Sequence, residues 1–181
     1  MNTILKGYRR YTVKTGNTLT HVNSDGKASM VNIHHKQVTK RIAIAQGKVI
    51  LGNEAFQLLK SNKIKKGDVL TVAQIAGIQG AKQTSNLIPL CHPLQLNQIQ
   101  IDFKLKDLDY SVEINAKVQC DGKTGVEMEA IMAVSISACT IYDMCKAVNK
   151  GIIIENVKLI SKTGGEGGDF VNQETLNTAK E

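Results

Sequence analysis

One segment constrains the fold of this chain more than any other. Residues 125–149 have the hydrophobic period of a helix, and no charged residue occurs from Ala130 to Tyr142. Thirteen uncharged residues are too few to span a bilayer, which needs about 20, but enough for burial nearly all round. We predict a helix that Gly151 terminates. Because one sheet face cannot cover all its sides, we expect a second subunit to cover the rest, and hence a homo-oligomer.

Two segments after the chain midpoint alternate between apolar and polar residues, which is the period of a strand. The short acidic segment 107–109 separates them. We therefore predict an antiparallel hairpin with one buried face. The apolar positions are Ile99, Ile101, Phe103, Leu105, Tyr110, Val112, Ile114, Ala116 and Val118.

The remaining elements complete an alternating order of strands and helices. Residues 42–51 predict a strand, residues 54–61 a short helix and residues 153–161 a final strand. Asp68 suits the N-cap of a further helix. The small buried face of that helix is expected to comprise Val69, Val72, Ala73, Ala76 and Gly80. The order β-α-β-β-α-β predicts a ferredoxin-like α+β fold, with helices covering one face of an antiparallel sheet.

The length of 181 residues suits one catalytic domain, which we place at residues 19–181 after a basic, disordered extension at residues 1–18. The net charge is +7, and residues 1–20 contribute four positive charges and no acid. A basic chain indicates an anionic partner, either nucleic acid or a phosphorylated metabolite.

Cysteine usage and hydropathy point to a compartment. The four cysteines form no CxxC pair, and no run of about 18 apolar residues indicates a membrane span. We expect a protein of the reducing cytoplasm without membrane attachment. The basic N-terminus leaves organellar targeting open.

Charged residues close the uncharged helix. Asp143 and Lys146 are three residues apart and share a helical face, so they form either a surface ion pair or a proton-transferring pair at the rim of a protected site. Lys66 precedes the predicted helix start at Asp68. It either meets an anion there or belongs to a solvated lysine run.

The start of the same helix offers two acids. Gly122-Lys123-Thr124 is not a P-loop, because Lys117 stands where that motif requires glycine. Thr124 and Glu127 fit a capping box, which leaves Glu127 as either a cap or a site residue. Glu129 is either an acid favoured by the helix dipole or a site residue.

Two loops could meet a phosphorylated ligand. Cys91 and His92 lie in a loop that two prolines bracket, where His92 could carry a proton or donate to phosphate. We expect no metal site there, since adjacent residues rarely ligate one ion. Lys162 precedes the glycine-rich residues 164–168, whose amides could wrap phosphate.

Eight motifs occur in the order typical of one family. They are Thr20-His21-Val22-Asn23, Met30-Val31, Lys66-Gly67-Asp68-Val69, Ala73-Gln74-Ile75-Ala76-Gly77-Ile78, Ile88-Pro89-Leu90-Cys91-His92-Pro93, Gly122-Lys123-Thr124-Gly125-Val126-Glu127-Met128-Glu129-Ala130, Thr140-Ile141-Tyr142-Asp143-Met144-Cys145-Lys146-Ala147 and Lys162-Thr163-Gly164-Gly165. From Leu19 to Phe170 the chain resembles the cyclic pyranopterin monophosphate synthases of molybdenum cofactor biosynthesis.

The resemblance implies a ferredoxin-like fold in a hexamer, built as a trimer of dimers with active sites between subunits. It implies a phosphorus–oxygen lyase that converts 3′,8-cyclo-7,8-dihydroguanosine 5′-triphosphate to cyclic pyranopterin monophosphate and pyrophosphate. No cofactor is required, although Mg²⁺ could accompany the triphosphate. The implied catalytic residues are Lys66, Asp143 and Lys146. The implied substrate-binding residues are Leu90, Cys91, His92, Glu127, Met128 and Glu129, with Arg41 and Lys162 at the triphosphate.

The chain departs from the family pattern at two positions. Asn32 stands where the family usually has aspartate, and Glu166 stands where it often has a basic residue. A rival function is RNA binding, because β-α-β-β-α-β is also the order of a module that stacks bases on sheet aromatics. The chain has three Phe, four Tyr and no Trp, and Phe103 and Tyr110 are in phase with the core, so we expect no nucleic-acid partner.

Overall fold

The computed structural model describes residues 26–172. A compact unit begins at Asn32, and residues 26–31 belong to a separate segment. The predicted extension at residues 1–18 and the motif at residues 20–23 lie outside the described residues. The domain boundary at residue 19 therefore stays a prediction.

The described chain contains five strands and four helices. In chain order they are β1 Thr39–Ile50, α1 Asn53–Lys60, α2 Val69–Lys82, α3 Thr84–Leu87, β2 Gln98–Lys106, β3 Ser111–Gly122, α4 Glu127–Cys145, β4 Ile153–Thr163 and β5 Phe170–Val171. The predicted α+β class is confirmed. The sheet order is β2-β3-β1-β4-β5, and every neighbouring pair is antiparallel.

The helices pack on one face of this sheet because the central strands alternate strictly. Ala43, Ala45 and Val49 of β1 are fully buried, whereas the residues between them are half-buried. Helix α4 crosses this apolar face and contacts β1, β3 and β4. The predicted hairpin of β2 and β3 is confirmed, with Ile101 opposite Ala116 in the register. The prediction is wrong at Tyr110, which lies in the turn before β3 with a φ of 52° and is 38% exposed.

Helix α2 packs closely against α4 through small residues. A methyl group at Gly77 would lie 2.6 Å from Ile101 Cδ1 and 2.7 Å from the Ala133 carbonyl oxygen, so only glycine fits without movement. The Ser137 hydroxyl of α4 donates a buried hydrogen bond of 3.0 Å to the Ala73 carbonyl oxygen. The predicted face of α2 is wrong at Val72, which is 42% exposed, because the contact with α4 selects Gly77 and Ala81 instead.

The predicted start of α2 is confirmed, whereas the predicted end of α4 is wrong. Asp68 caps α2, since its carboxylate accepts a 3.1 Å hydrogen bond from the Thr71 amide. The predicted stop at Gly151 is wrong, because α4 ends at Cys145. The side-chain amide of Asn149 donates to the Leu51 carbonyl oxygen at 2.8 Å, which holds the turn after the helix against the end of β1.

By length and composition alone, α4 could cross a membrane, and it is the single helix within residues 26–172 that could. Half of its most apolar stretch is buried in this structure. The core helix of a globular domain meets the same criterion, and the contacts of α4 with three strands and α2 are those of a core helix.

Candidate active site

Three charged side chains meet at the end of α4. The Asp143 carboxylate bridges two lysines, with Oδ2 at 2.7 Å from Lys66 Nζ and Oδ1 at 2.6 Å from Lys146 Nζ. Lys66 also donates to the Asp143 carbonyl oxygen at 2.9 Å. Lys66 lies on the loop before α2, where Gly67 has a φ of 101° and turns the chain into the helix. The structure therefore brings together all three residues that the resemblance implies are catalytic.

The two lysines fix the charge of this cluster. Hydrogen bonds from Lys146 and then Lys66 lower the pKa of Asp143 to about 2, and Asp143 in turn raises the pKa of Lys146. The Asp143 carboxylate is consequently ionised at neutral pH. The sequence suggests that these charges lie at the rim of a protected site. In the single chain, however, all three side chains are about half exposed to solvent. The cluster thus joins two lysine side chains through one carboxylate.

An open pocket of about 390 Å³ lies beside this cluster. Its lining combines apolar side chains with three lysines and one acid. The lining residues are Glu54, Leu58, Lys63, Ile64, Lys65, Lys66, Met144, Ala147 and Val148.

A second cluster lies at the opposite end of α4, around the loop between β4 and β5. Lys162 Nζ lies 3.3 Å from Glu127 Oε1. Arg41 is buried, and its Nε donates to the Gly122 carbonyl oxygen at 3.2 Å. A methyl group at Gly165 would overlap the Arg41 guanidinium, so glycine is required for this approach. Arg41 thus supports the glycine loop from below, a role that the sequence does not indicate.

Glu129 is a buried carboxyl near two thiols. Only 4% of the residue is exposed, and burial, with a smaller contribution from Glu127, raises its pKa to about 7. Burial together with the charge of Glu129 raises the pKa of both Cys91 and Cys120. These thiols are therefore protonated at neutral pH, and Glu129 can hold or release a proton close to that pH.

The other implied substrate-binding residues are partly exposed. Leu90, Cys91, His92 and Met128 are half-buried, which leaves each of them partly accessible to a ligand. Residues 88–97 form the irregular segment between α3 and β2, as the two prolines predict. Among residues 26–172, no group of three or more His, Cys, Asp or Glu side chains is arranged to hold a metal ion.

The predicted capping box is wrong. Val126 occupies the N-cap position of α4, and no side chain there makes a capping hydrogen bond. The Glu127 carboxylate lies over Gly125, just before the helix start, and pairs there with Lys162 of β4 instead of capping the helix. Sequence reasoning missed this pair because its members are 35 residues apart, and only the return of β4 beside β1 brings them together.

The two departures from the family pattern have local explanations. The Asn32 side-chain oxygen accepts a 2.9 Å hydrogen bond from the His34 amide, so it stabilises the turn before β1. Glu166 pairs with Lys36 at 3.2 Å. Its charge is therefore directed at Lys36, and the Asp169 carboxylate accepts from the Gly164 amide at 3.1 Å to fix the start of the loop.

The two clusters do not meet within one chain. Glu129 and Asp143 are fourteen residues apart on α4, which corresponds to about 21 Å at about 1.5 Å per residue. The reacting rings of a nucleotide-derived substrate are much smaller than this distance. One chain therefore presents two partial sites, one at each end of α4.

The chain is similar to known proteins along most of its length. Residues 30–165 match the model of the MoaC family. The chain is 50% identical over 157 residues to cyclic pyranopterin monophosphate synthase of Clostridium botulinum, covering 87% of this chain and 99% of that protein. It is 53% identical over 152 residues to the Arabidopsis thaliana protein "Cyclic pyranopterin monophosphate synthase, mitochondrial", covering 84% of this chain and 56% of that protein.

A third relative is much longer. Human "Molybdenum cofactor biosynthesis protein 1" is 51% identical over 156 residues, which cover 86% of this chain. The chain spans about a quarter of the length of that relative, 24%. The family match covers well over half of the chain, and the bacterial relative matches along nearly its whole length. This chain belongs to the MoaC family.

Proposed function

We propose that this chain is a cyclic pyranopterin monophosphate synthase. Its reaction rearranges 3′,8-cyclo-7,8-dihydroguanosine 5′-triphosphate to cyclic pyranopterin monophosphate and releases pyrophosphate. The observation that carries the proposal is the Lys66–Asp143–Lys146 cluster, in a chain about half identical to bacterial proteins of that name. The reaction needs proton transfers at the rings and stabilised negative charge at the phosphates.

In this proposal, the Lys66–Asp143–Lys146 cluster at the end of α4 carries out the proton transfers. Opening the guanine imidazole and closing the pterin ring require donors and acceptors near the rings. Asp143 remains an anion, so it holds Lys66 and Lys146 in place through its two carboxylate oxygens and raises the pKa of Lys146. The two amines are the acids, and after donation the bases, of the reaction.

The second cluster, at the start of α4, binds the phosphates in this proposal. Attack on the α-phosphate expels pyrophosphate, so cations and amides must stabilise the developing charge. Lys162 and the glycine loop supply an ammonium group and backbone amides, while Arg41 orders that loop and adds its positive charge from below. His92 is the further donor to phosphate. Mg²⁺ bound to the triphosphate is compatible with this arrangement.

The fold and the assembly follow the family in this proposal. The strand order β4-β1-β3-β2, with β5 added at the edge, supports a ferredoxin-like topology for this sheet. A hexamer, built as a trimer of dimers, would unite the two partial sites, since α4 of a second copy could bring Glu129 towards Asp143. Exposed apolar residues on α2 support such contacts, for Val72 is 42% and Ile75 is 63% exposed.

Incubation of the purified chain with the cyclised triphosphate tests the activity. We expect pyrophosphate and cyclic pyranopterin monophosphate in equal amounts, measured by chromatography and a coupled phosphate assay. A chain that binds the triphosphate without releasing pyrophosphate would be a carrier and would contradict the proposal.

Mixed oligomers test the shared site. We expect Glu129→Ala and Asp143→Ala proteins to be nearly inactive alone and to regain part of the activity when unfolded and reassembled together. Partial recovery is expected because some interfaces then hold one intact site. Mixing is verified by mass spectrometry of the native oligomer. Mixed oligomers without activity would show that each site belongs to one chain.

The partner and the compartment complete the proposal. Within residues 26–172, the sheet face away from the helices carries no aromatic side chain, so the base-stacking mode of RNA-binding modules is not available on it. Failure to bind RNA in moderate salt is the expected result.

The cysteine usage supports a location in the cytoplasm, whereas the name of the Arabidopsis relative supports a location in an organelle. Cell fractionation decides between them.

A further inference from the structure

The position where Lys162 would meet an anion is already occupied by a carboxylate. Lys162 Nζ lies 3.3 Å from Glu127 Oε1, and both side chains are less than a third exposed. The same lysine faces the glycine loop, where a methyl group at Gly167 would lie 3.6 Å from Nζ. In this structure Glu127 therefore neutralises the ammonium group that the loop would offer to phosphate.

The chain makes room for this carboxylate. A methyl group at Gly125 would lie 2.6 Å from Glu127 Cδ and would overlap the carboxylate oxygens. The φ of Gly125 is not in the left-handed region, so its backbone does not require glycine. The Glu127 carboxylate therefore occupies the space above Gly125, and from there it contacts Lys162.

We propose that Glu127 is an exchangeable counter-ion, which holds Lys162 in the free protein and yields it to the phosphates of a polyphosphate ligand. The inference rests on the proposed function only for the identity of the natural ligand. It assigns Glu127 as a positioning residue for Lys162. Binding then requires the lysine to exchange a protein carboxylate for a phosphate oxygen, with the displaced carboxylate a few ångströms away.

This exchange weakens the binding of small polyphosphates more than that of the whole substrate. Pyrophosphate gains only the phosphate contacts, and it must break the Glu127–Lys162 pair and tolerate the carboxylate beside it. A substrate that also binds through its rings can offset this cost. The counter-ion therefore favours the departure of pyrophosphate after the reaction.

Calorimetric titration of the full-length protein with inorganic pyrophosphate measures this cost. We expect Glu127→Gln to bind pyrophosphate about tenfold more tightly than the wild type, because the competing pair and the nearby like charge are both removed. Gly125→Ala should also tighten binding, since the new methyl displaces the Glu127 carboxylate and leaves its charge in the protein. Circular dichroism verifies the fold of each variant.

Two controls separate exchange from net charge. Glu166→Gln removes the same charge from the glycine loop, where the carboxylate pairs with Lys36, and should change the affinity by less than about twofold. Lys162→Ala should abolish the gain, so that adding Glu127→Gln to it has no further effect. Unchanged or weaker binding by Glu127→Gln would overturn the proposal, as would an equal gain from Glu166→Gln or no detectable binding by any variant.

The result is independent of the synthase assay. If the affinities change as expected and the chain makes no cyclic pyranopterin, the counter-ion stands and the proposed reaction fails. If the chain makes the product and the affinities do not change, the reaction stands and Glu127 has another role.

Discussion

The buried carboxyl of Glu129 should make the stability of this protein depend on pH. Burial raises its pKa from 4.5 to about 7, and only 4% of the residue is exposed, so solvent screens the effect little. Between pH 4.5 and 7 the folded chain retains a proton that the unfolded chain has released. Stability therefore falls as pH rises through this window, and the full cost remains above pH 7.

The magnitude follows from the size of the shift. A change of one pKa unit corresponds to about 1.4 kcal/mol, so the shift from 4.5 to about 7 amounts to about 3 kcal/mol. Glu129→Gln removes the ionisation and keeps a side chain of similar size. We expect the variant to match the wild type near pH 4.5 and to be about 3 kcal/mol more stable at pH 8.

Urea unfolding at a fixed protein concentration, repeated from pH 4.5 to pH 8, measures this difference. Glu166→Gln serves as the control for net charge, because its side chain is 66% exposed. The reasoning is refuted if the stability difference between Glu129→Gln and the wild type is constant across the pH range. A more stable variant without synthase activity would show that the ionisable carboxyl is kept for function at the expense of stability.

Three further predictions concern the cluster and the core. Lys66→Ala and Lys146→Ala should each abolish turnover without loss of the fold, measured by pyrophosphate release and circular dichroism, whereas Lys63→Ala should be nearly silent because it makes no contact with the carboxylate. Asp143→Asn should lower the pKa of Lys146, so that an acylating reagent at fixed pH labels this amine faster than in the wild type, as measured by peptide mass spectrometry. Equal labelling would contradict Asp143 as the cause of the raised pKa. Gly77→Ala should reduce the free energy of unfolding by about 1–3 kcal/mol in urea titrations, since the new methyl would lie 2.7 Å from the Ala133 carbonyl oxygen of α4. An unchanged free energy of unfolding would show that α2 and α4 can move apart at no cost.

The sequence predicts the elements well where local rules decide the outcome. Strict alternation places β2 and β3, and Asp68 caps α2 as its residue type suggests, because these preferences involve neighbours along the chain. The end of α4 is not predictable in this way. A glycine at position 151 suits a helix stop, but the side-chain amide of Asn149 donates to the Leu51 carbonyl oxygen, and the helix ends earlier, at Cys145.

The candidate site shows the same division. Asp143 and Lys146 share a helical turn, so their pairing can be predicted from spacing alone. The capping box fails at Glu127 because Lys162 competes for the carboxylate, and Arg41 supports a loop more than a hundred residues away. These contacts depend on the sheet order, which no local pattern encodes.

Lys66 raises a question that a single alanine variant cannot answer. It donates both to the Asp143 carboxylate and to the Asp143 carbonyl oxygen, so it stabilises the end of α4 as well as the charge cluster. Lys66→Ala removes both contacts, and lost turnover could reflect a frayed helix end. Lys66→Arg retains a cation with several donors that cannot lose its proton at any accessible pH. If Lys66 transfers a proton, Lys66→Arg should preserve the hydrogen-exchange protection of residues 142–146 and still lose turnover. Recovery of turnover in the arginine variant would show instead that Lys66 only holds Asp143 and the helix end in place.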